Sequence, residues 1–222
     1  MNKLHNIIPN ILSVGIVILI SGCGGGGGSS APDQNSNTTN AVQSESAITA
    51  HENNLDSIPF DIPPLDSYTK QVYLDAINNA RSVSQDCGVY GIKDAVPPLT
   101  WNDALYKAAA EHSEDLAESN TFSHTGSYTE SDWTAQVMEL SSGSSMTNRI
   151  ENNGYKNWKK IGENIAAGSK MENVHEAINA WLNSDQHCAN LMNPEYKNIG
   201  IGHYEKDTSD YIHYWTQNFG YQ

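Results

Sequence analysis

From Gly24 to about Ala50 the chain runs through five glycines and then Ser, Asn, Thr, Gln and Ala, with almost no apolar side chain. Such a tract buries too little apolar surface to offset the entropy of ordering it, so it specifies a flexible tether and not a domain. A phosphate-cradling loop needs Lys-Ser or Lys-Thr after its glycines, and neither follows. Residues 51–65 carry Pro59, Pro63 and Pro64 and read as an extended entry. Folding is thereby confined to residues 66–222, one domain by length. A domain of that size buries roughly 68–70% of its unfolded surface, enough for an independent core.

Ahead of the tether, Lys3 precedes an apolar run from Ile11 to Ile20 that ends in Ile20-Ser21-Gly22-Cys23. The run is short for a membrane span, and with its charged start and small-residue ending residues 1–22 read as a secretory leader. The ending resembles a bacterial lipobox, which implies that Cys23 is acylated and becomes the mature amino terminus of a 23–65 tether. Each buried CH₂ of an acyl chain contributes roughly 0.8 kcal/mol, so the membrane is the expected partner. Gly24 resembles outer-membrane sorting, and the expected location is the bacterial cell envelope, lipid-anchored at the outer membrane. The alternative is an ordinary leader with an accidental cysteine.

Export brings an oxidising compartment, in which the two remaining cysteines, Cys87 and Cys188, can pair. Net charge is −14, and loss of residues 1–22, whose only charged side chain is Lys3, leaves −15. No basic groove exists to meet a phosphate backbone, so nucleic acid is excluded as a partner.

Within residues 66–222 the apolar period switches from helix to strand. Tyr73, Ala76, Ile77 and Ala80 share one helical face, and Leu105, Ala108, Ala109, His112 and Leu116 another. Val174, Ala177, Ile178, Trp181 and Leu182 make a third, with Ser169 and Glu172 as a capping box. Segments 197–204 and 211–219 read as strands of a hairpin around Asp207-Thr-Ser-Asp210. Trp181 to Pro194 reads as a helix end running into a turn. The polar stretch from His124 to Arg149 reads as a surface insertion with a short helix near Trp133, Val137, Met138 and Leu140. Trp133 and Trp158 read as core aromatics or the rim of a groove. Glu111, Glu114, Asp115 and Glu118 read as a solvated helix face. Helices that need a partner face and strands that need a cover predict an α+β sandwich of helices and an antiparallel sheet.

Six local patterns stand in order: Pro98-Leu-Thr-Trp101-Asn, Phe122-Ser-His124-Thr-Gly126, Arg149-Ile-Glu-Asn-Asn-Gly-Tyr155, Gly162-Glu163-Asn164-Ile-Ala-Ala-Gly168, Trp181 to Pro194, and Tyr214-Trp-Thr-Gln217-Asn-Phe-Gly220. Together they resemble the CAP superfamily of cysteine-rich secretory proteins, venom allergens, plant pathogenesis-related proteins and bacterial exported proteins. The resemblance implies an α-β-α sandwich with a central antiparallel sheet and a cleft holding two histidines and one or two acids. It assigns His124, Glu163 and His187 to that cleft, and it pairs Cys87 with Cys188. Two positions depart from the pattern. Where animal and plant members carry a strand histidine this chain has Tyr214, with His213 one residue away on the opposite face. The second acid position is Ser184, with Asp185 adjacent. His112, Asp185, Tyr214 and Gln217 are therefore secondary cleft candidates, and His112 reads equally as a satisfied core histidine.

Neutral imidazoles with a carboxylate can hold a zinc-like divalent ion, whose water a glutamate such as Glu163 can deprotonate. A hydrogen-bonded His-Glu-His cluster without metal is the alternative. Sharper enzyme readings fail. His175-Glu176 starts a zinc-protease helix, but Asn179 stands where the second histidine belongs. No Gly-x-Ser-x-Gly elbow presents a serine, and Ser123 beside His124 has poor geometry for a nucleophile and its base. Cys188 is a nucleophile only if unpaired. The expectation is a membrane-tethered exported binding module for a divalent ion, a lipid or an envelope component. The alternatives are a metal-dependent hydrolase of peptide or envelope polymer and a structural surface protein with a degenerate cleft.

Overall fold

The computed structural model describes residues 62–222. The leader, Cys23 and most of the tether lie outside them. The described residues ahead of Asp66 already pack on the domain, because Ile62 is buried and the Pro63 carbonyl accepts from the Tyr106 hydroxyl at 3.1 Å.

The chain then forms α1 (Ser67–Arg81), the short strands β1 (Gln85–Asp86), β2 (Ile92–Lys93) and β3 (Thr100–Trp101), and α2 (Asp103–Glu118). It continues through α3 (Trp133–Val137), α4 (Met146–Asn152), β4 (Lys160–Ala167), α5 (Val174–Leu182), α6 (Asp185–Leu191), β5 (Asn198–Glu205) and β6 (His213–Tyr221). Side-chain oxygens set the helix starts, as they should where the first-turn N–H groups have no helical partner. Asp66 caps α1 through Thr69 N, and Asn102 caps α2 through Ala104 N and Leu105 N. The capping box of α5 is Asn173 with Glu176, four residues beyond the expected Ser169 and Glu172.

The main sheet has the order β3-β5-β6-β4. β5–β6 and β6–β4 are antiparallel, as expected, and the two-residue β3 adds to the edge of β5 in parallel. α2 covers one face. Gly200 and Gly202 make that contact possible, since a Cβ there would stand 2.0 Å from Tyr106 N and 2.3 Å from Ala110 N. α1, α5 and α6 cover the other face, where Ile77, Trp181, Leu191, Ile199, Trp215 and Phe219 form the main core. Each such side chain contributes roughly 1.5–3 kcal/mol on burial. The result is an α-β-α sandwich of the α+β class.

Two local expectations are corrected. The stretch from Trp181 to Pro194 is not a helix end and a turn. α5 stops at Leu182 and a second short helix, α6, carries His187 and Cys188. Neighbours on a helix point about 100° apart, so Cys188 faces the core while His187 faces outward. Cys188 is bonded to Cys87, with Cα atoms 5.3 Å apart, which ties the β1–β2 hairpin to α6.

Nor is the acidic side of α2 a solvated face throughout. Glu111 and Asp115 are buried under residues 126–134, while Glu114 is half-buried and Glu118 exposed. Glu111 accepts from Thr134 N and Asn153 Nδ2, both at 2.7 Å. Asp115 accepts from Ser127 N at 2.8 Å and Ser131 Oγ at 2.6 Å. These bonds lay the expected insertion onto α2, and α3 forms within it where the short helix was expected. Trp158 packs against the small core cluster of Leu105, Ala108, Ile150 and Tyr155.

Candidate functional site

Among the described residues β4 is an edge strand, so its free side meets helices and loops instead of another strand. α6 stands along it with His187. On the other side are α4 and the segment after α2 that carries His124. A hollow of ≈ 570 Å³ opens there with His124, Glu163, Asn164 and His187 in its wall. A second of ≈ 360 Å³ shares His124, Glu163 and Gln186 with it and extends to Thr125 and Met146. Three residues distant in the sequence, His124, Glu163 and His187, thus line one cavity.

Glu163 is the electrostatic centre. Its side chain is 2% exposed, against 56% for that of His124. Oε1 accepts from His124 Nδ1 at 2.9 Å, and Arg149 Nη2 donates to Oε1 at 3.2 Å and Oε2 at 3.0 Å. Asn218, with its amide turned to satisfy both its partners, donates to Oε2 at 3.1 Å. Burial alone would raise this carboxyl, but the Arg149 charge, with the facing histidines, outweighs burial and holds it down at about 2. An ionised Glu163 can only accept, so His124 Nδ1 carries the proton of this bond.

Arg149 is the residue to which the sequence reading assigned no role. It is buried, donates from Nη1 to the Ser144 carbonyl at 2.8 Å, and donates from Nη2 to the His124 carbonyl at 3.1 Å. One guanidinium therefore positions both the backbone of His124 and the carboxylate of Glu163. The available signal was its place in the Arg149–Tyr155 pattern on a helix just before Glu163.

His187 is half-buried, and burial, followed by the nearby His124, lowers its pKa, so its ring is neutral near pH 7. Asn164 and Asn190 hold α6 against β4. Asn164 Nδ2 donates to the His187 carbonyl at 3.2 Å, and Asn190 Nδ2 donates to Asn164 Oδ1 at 2.9 Å. Gln186, Asn190 and the hydroxyl-bearing Tyr90 and Tyr196 complete the wall.

The secondary candidates fall elsewhere. His112 is fully buried beneath the cleft, donates from Nε2 to the Ser123 carbonyl at 2.9 Å, and stands 3.9 Å from Glu163. Burial pushes it down to about 3, so it is a neutral core histidine under the site. Asp185 turns away, because its carboxylate accepts from Val89 N at 3.0 Å. Tyr214 is buried with Leu116 and Ile165 on the α2 side of the sheet, and its hydroxyl donates to Asn120. Gln217 lies under the sheet surface and accepts from Asn164. The structure brings none of these four to the cleft wall.

The donor set does not fit a three-ligand metal site as it stands. His124 uses Nδ1 on Glu163, and Glu163 is neutralised by Arg149. Among the described residues no group of three or more His, Cys, Asp or Glu side chains is placed to hold an ion.

A model of the cysteine-rich secretory protein family, CAP, matches residues 74–219. The uncharacterized protein YkwD of Bacillus subtilis (strain 168) is 32% identical over 127 residues, 57% of this chain and 41% of that protein. The uncharacterized membrane protein YlbC of the same strain is 30% identical over 131 residues, 59% of this chain and 31% of that one. The chain thus covers less than half the length of these curated relatives. A solved structure of an extracellular protein containing an SCP domain, from Bacillus anthracis str. Ames, superposes with a TM-score of 0.51 at 26% identity. It covers 72% of this chain and 45% of its own.

Proposed function

The chain belongs to the cysteine-rich secretory protein (CAP) family, and we propose that it is an exported, membrane-tethered binding module whose β4-edge cleft takes an uncharged, hydrogen-bonding envelope ligand. The observation that carries this reading is the neutralisation of Glu163 by Arg149 in a wall of amides, hydroxyls and imidazoles. Such a wall offers donors and acceptors without a net charge to attract an ion or a charged head group. Glycan hydroxyls or peptide amides match it. A buried acyl chain matches it poorly, because it would leave those polar groups unpaired.

The test is calorimetry with N-acetylglucosamine oligomers, the uncharged part of soluble peptidoglycan fragments. Saturable binding is expected, weakened about tenfold by His187→Ala or Gln186→Ala, the equivalent of one lost good hydrogen bond. Heats that are absent, or equal in wild type and variants, remove the reading. The tether part is tested separately by mass spectrometry of the native protein, in which Cys23 carries the mass of its acyl chains.

A hydrolase is the second reading, favoured by one feature. Glu163 orients His124 through Nδ1 in the wall of the cavity, the arrangement of an imidazole held by a carboxylate as a general base. Turnover of the same oligomers that is lost in His124→Gln while binding persists would promote it.

A further inference from the structure

The two hollows of the cleft have walls that differ. His124, Glu163 and Gln186 belong to both. Tyr90 and Tyr196 line only the larger, ≈ 570 Å³, and Thr125, Ser145 and Met146 only the smaller, ≈ 360 Å³. Each is by itself within the range of about 300–1,000 Å³ typical of a small-molecule site. A ligand that touches both sets of private residues must cross the wall they share. That is the layout of a site for successive units of one chain.

The β4 edge argues against a peptide as that chain. An added peptide strand needs both carbonyls and N–H groups on the edge it joins. The outward carbonyls of β4 are already engaged, since the Tyr196 hydroxyl donates to that of Ile161 at 3.5 Å and Asn190 Nδ2 to that of Glu163 at 3.2 Å. With those acceptors taken the edge cannot complete a ladder. A glycan requires no ladder, because its units carry hydroxyl and acetamido groups at the rim and apolar C–H faces across the ring. Amides such as Gln186 and Asn190 suit the rim, and an accessible aromatic ring suits the faces.

Tyr90 supplies that ring. It is 49% exposed, yet its backbone is clamped. Cys87 is bonded to Cys188, Tyr90 N donates to the Cys87 carbonyl at 3.1 Å, and Val89 N donates to Asp185 at 3.0 Å. Gly88, at φ 55°, leaves no room for a Cβ beside the Asp185 carboxylate. A ring carried on so fixed a backbone loses little further freedom when a ligand stacks on it. Asp185, which turns away from the cleft, therefore acts on it as a positioning residue.

We infer that the cleft takes a linear, uncharged glycan across two subsites, with one unit stacked on Tyr90 in the larger hollow and a later unit in the smaller one beside Thr125 and Met146. The chain crosses the shared wall of His124 and Gln186. This rests on the binding-module reading above and adds to it the class of polymer, a minimum length and the stacking residue.

The experiment is calorimetry on the full chain with the dimer, tetramer and hexamer of N-acetylglucosamine and with an uncharged, end-capped octapeptide. Affinity should rise at least about tenfold from dimer to hexamer, the equivalent of one further good hydrogen bond. Tyr90→Ala should weaken the hexamer about tenfold, and Tyr90→Phe, which keeps the ring, clearly less. Thr125→Trp, which fills the smaller hollow from an exposed position, should bring the hexamer down to the affinity of the dimer. Equal affinity for dimer and hexamer, or a hexamer indifferent to both Tyr90→Ala and Thr125→Trp, overturns the two-subsite glycan and leaves the binding module standing. Tighter binding of the octapeptide than of the hexamer overturns the glycan in favour of a peptide. Absence of binding by every probe removes the module reading itself and this inference with it.

Discussion

At the scale of single residues the cleft is organised by a buried charge pair. Removing one partner of such a pair leaves an uncompensated charge and costs about 3–5 kcal/mol, whereas replacing both by apolar groups is far milder. Arg149→Leu should therefore destabilise the domain by about 3–5 kcal/mol in urea unfolding, and Arg149→Leu/Glu163→Leu by clearly less than the two single changes summed. Simple additivity would contradict the pairing. Glu163 also predicts a pH response. Its folded pKa, about 2, lies below its ordinary 4.5, so its contribution is present above pH 4.5 and is lost as pH falls toward 2. His112, about 3 when folded against an ordinary 6.5, acts in the same direction over the window from 6.5 down to 3. Tm should begin to fall below about pH 6.5 and drop further below about 4.5, with the lower limb flattened in Glu163→Gln. A Tm constant from pH 7 to 4 would refute the assignment. His124, Glu163 and His187 were legible because each sits in a short pattern with its own turn residues. Arg149 was not, since an arginine on a polar helix reads as solvated until its carboxylate partner, fourteen positions on, is known to be adjacent. Asp185 beside His187 was equally ambiguous, and the Val89 N–H decided it.

At the scale of elements, the tightest seam lies between α2 and β5. A Cβ on Gly202 meets helix backbone, which cannot swing aside as a side chain can. Gly202→Ala should lose at least about 1–3 kcal/mol through overpacking. Gly91→Ala, at φ 73° with open space around it, carries only the conformational penalty of about 1–2 kcal/mol. Equal losses in denaturant unfolding would show that the seam tolerates separation. The strands β5 and β6 were readable from their Ile, Tyr and Trp content. β4 was not, because Gly162, Glu163, Asn164 and Ala166 are weak strand formers, held extended by pairing with β6. The α5 cap shows a different limit. Ser169 with Glu172 and Asn173 with Glu176 have the same spacing, and only the packing of Val174 and Ala177 into the core selects the second.

At the scale of the whole molecule, the two edges of the sheet are coupled to the disulfide unequally. Cys87–Cys188 closes a separation of 101 residues, and its loss should remove about 2–4 kcal/mol. The structural effect is local to the β4 edge, however, because the bridge holds the hairpin bearing Tyr90 against the helix bearing His187. The β5 edge is held by its pairing with β6 and meets the bridge only through the shared core that contains Ile199, Ile201 and both cysteines. In Cys87→Ser/Cys188→Ser, studied well below its lowered Tm, N-acetylglucosamine-oligomer binding at the cleft should weaken by about tenfold, one hydrogen bond's worth of lost order. The far-ultraviolet circular dichroism of the folded sheet should keep its wild-type shape. A parallel loss of both would mean that the sandwich loosens as one unit and that the cleft owes nothing particular to the bridge. Loss at the cleft alone would identify the disulfide as the brace that lets a seven-residue helix hold His187 in place at an open sheet edge.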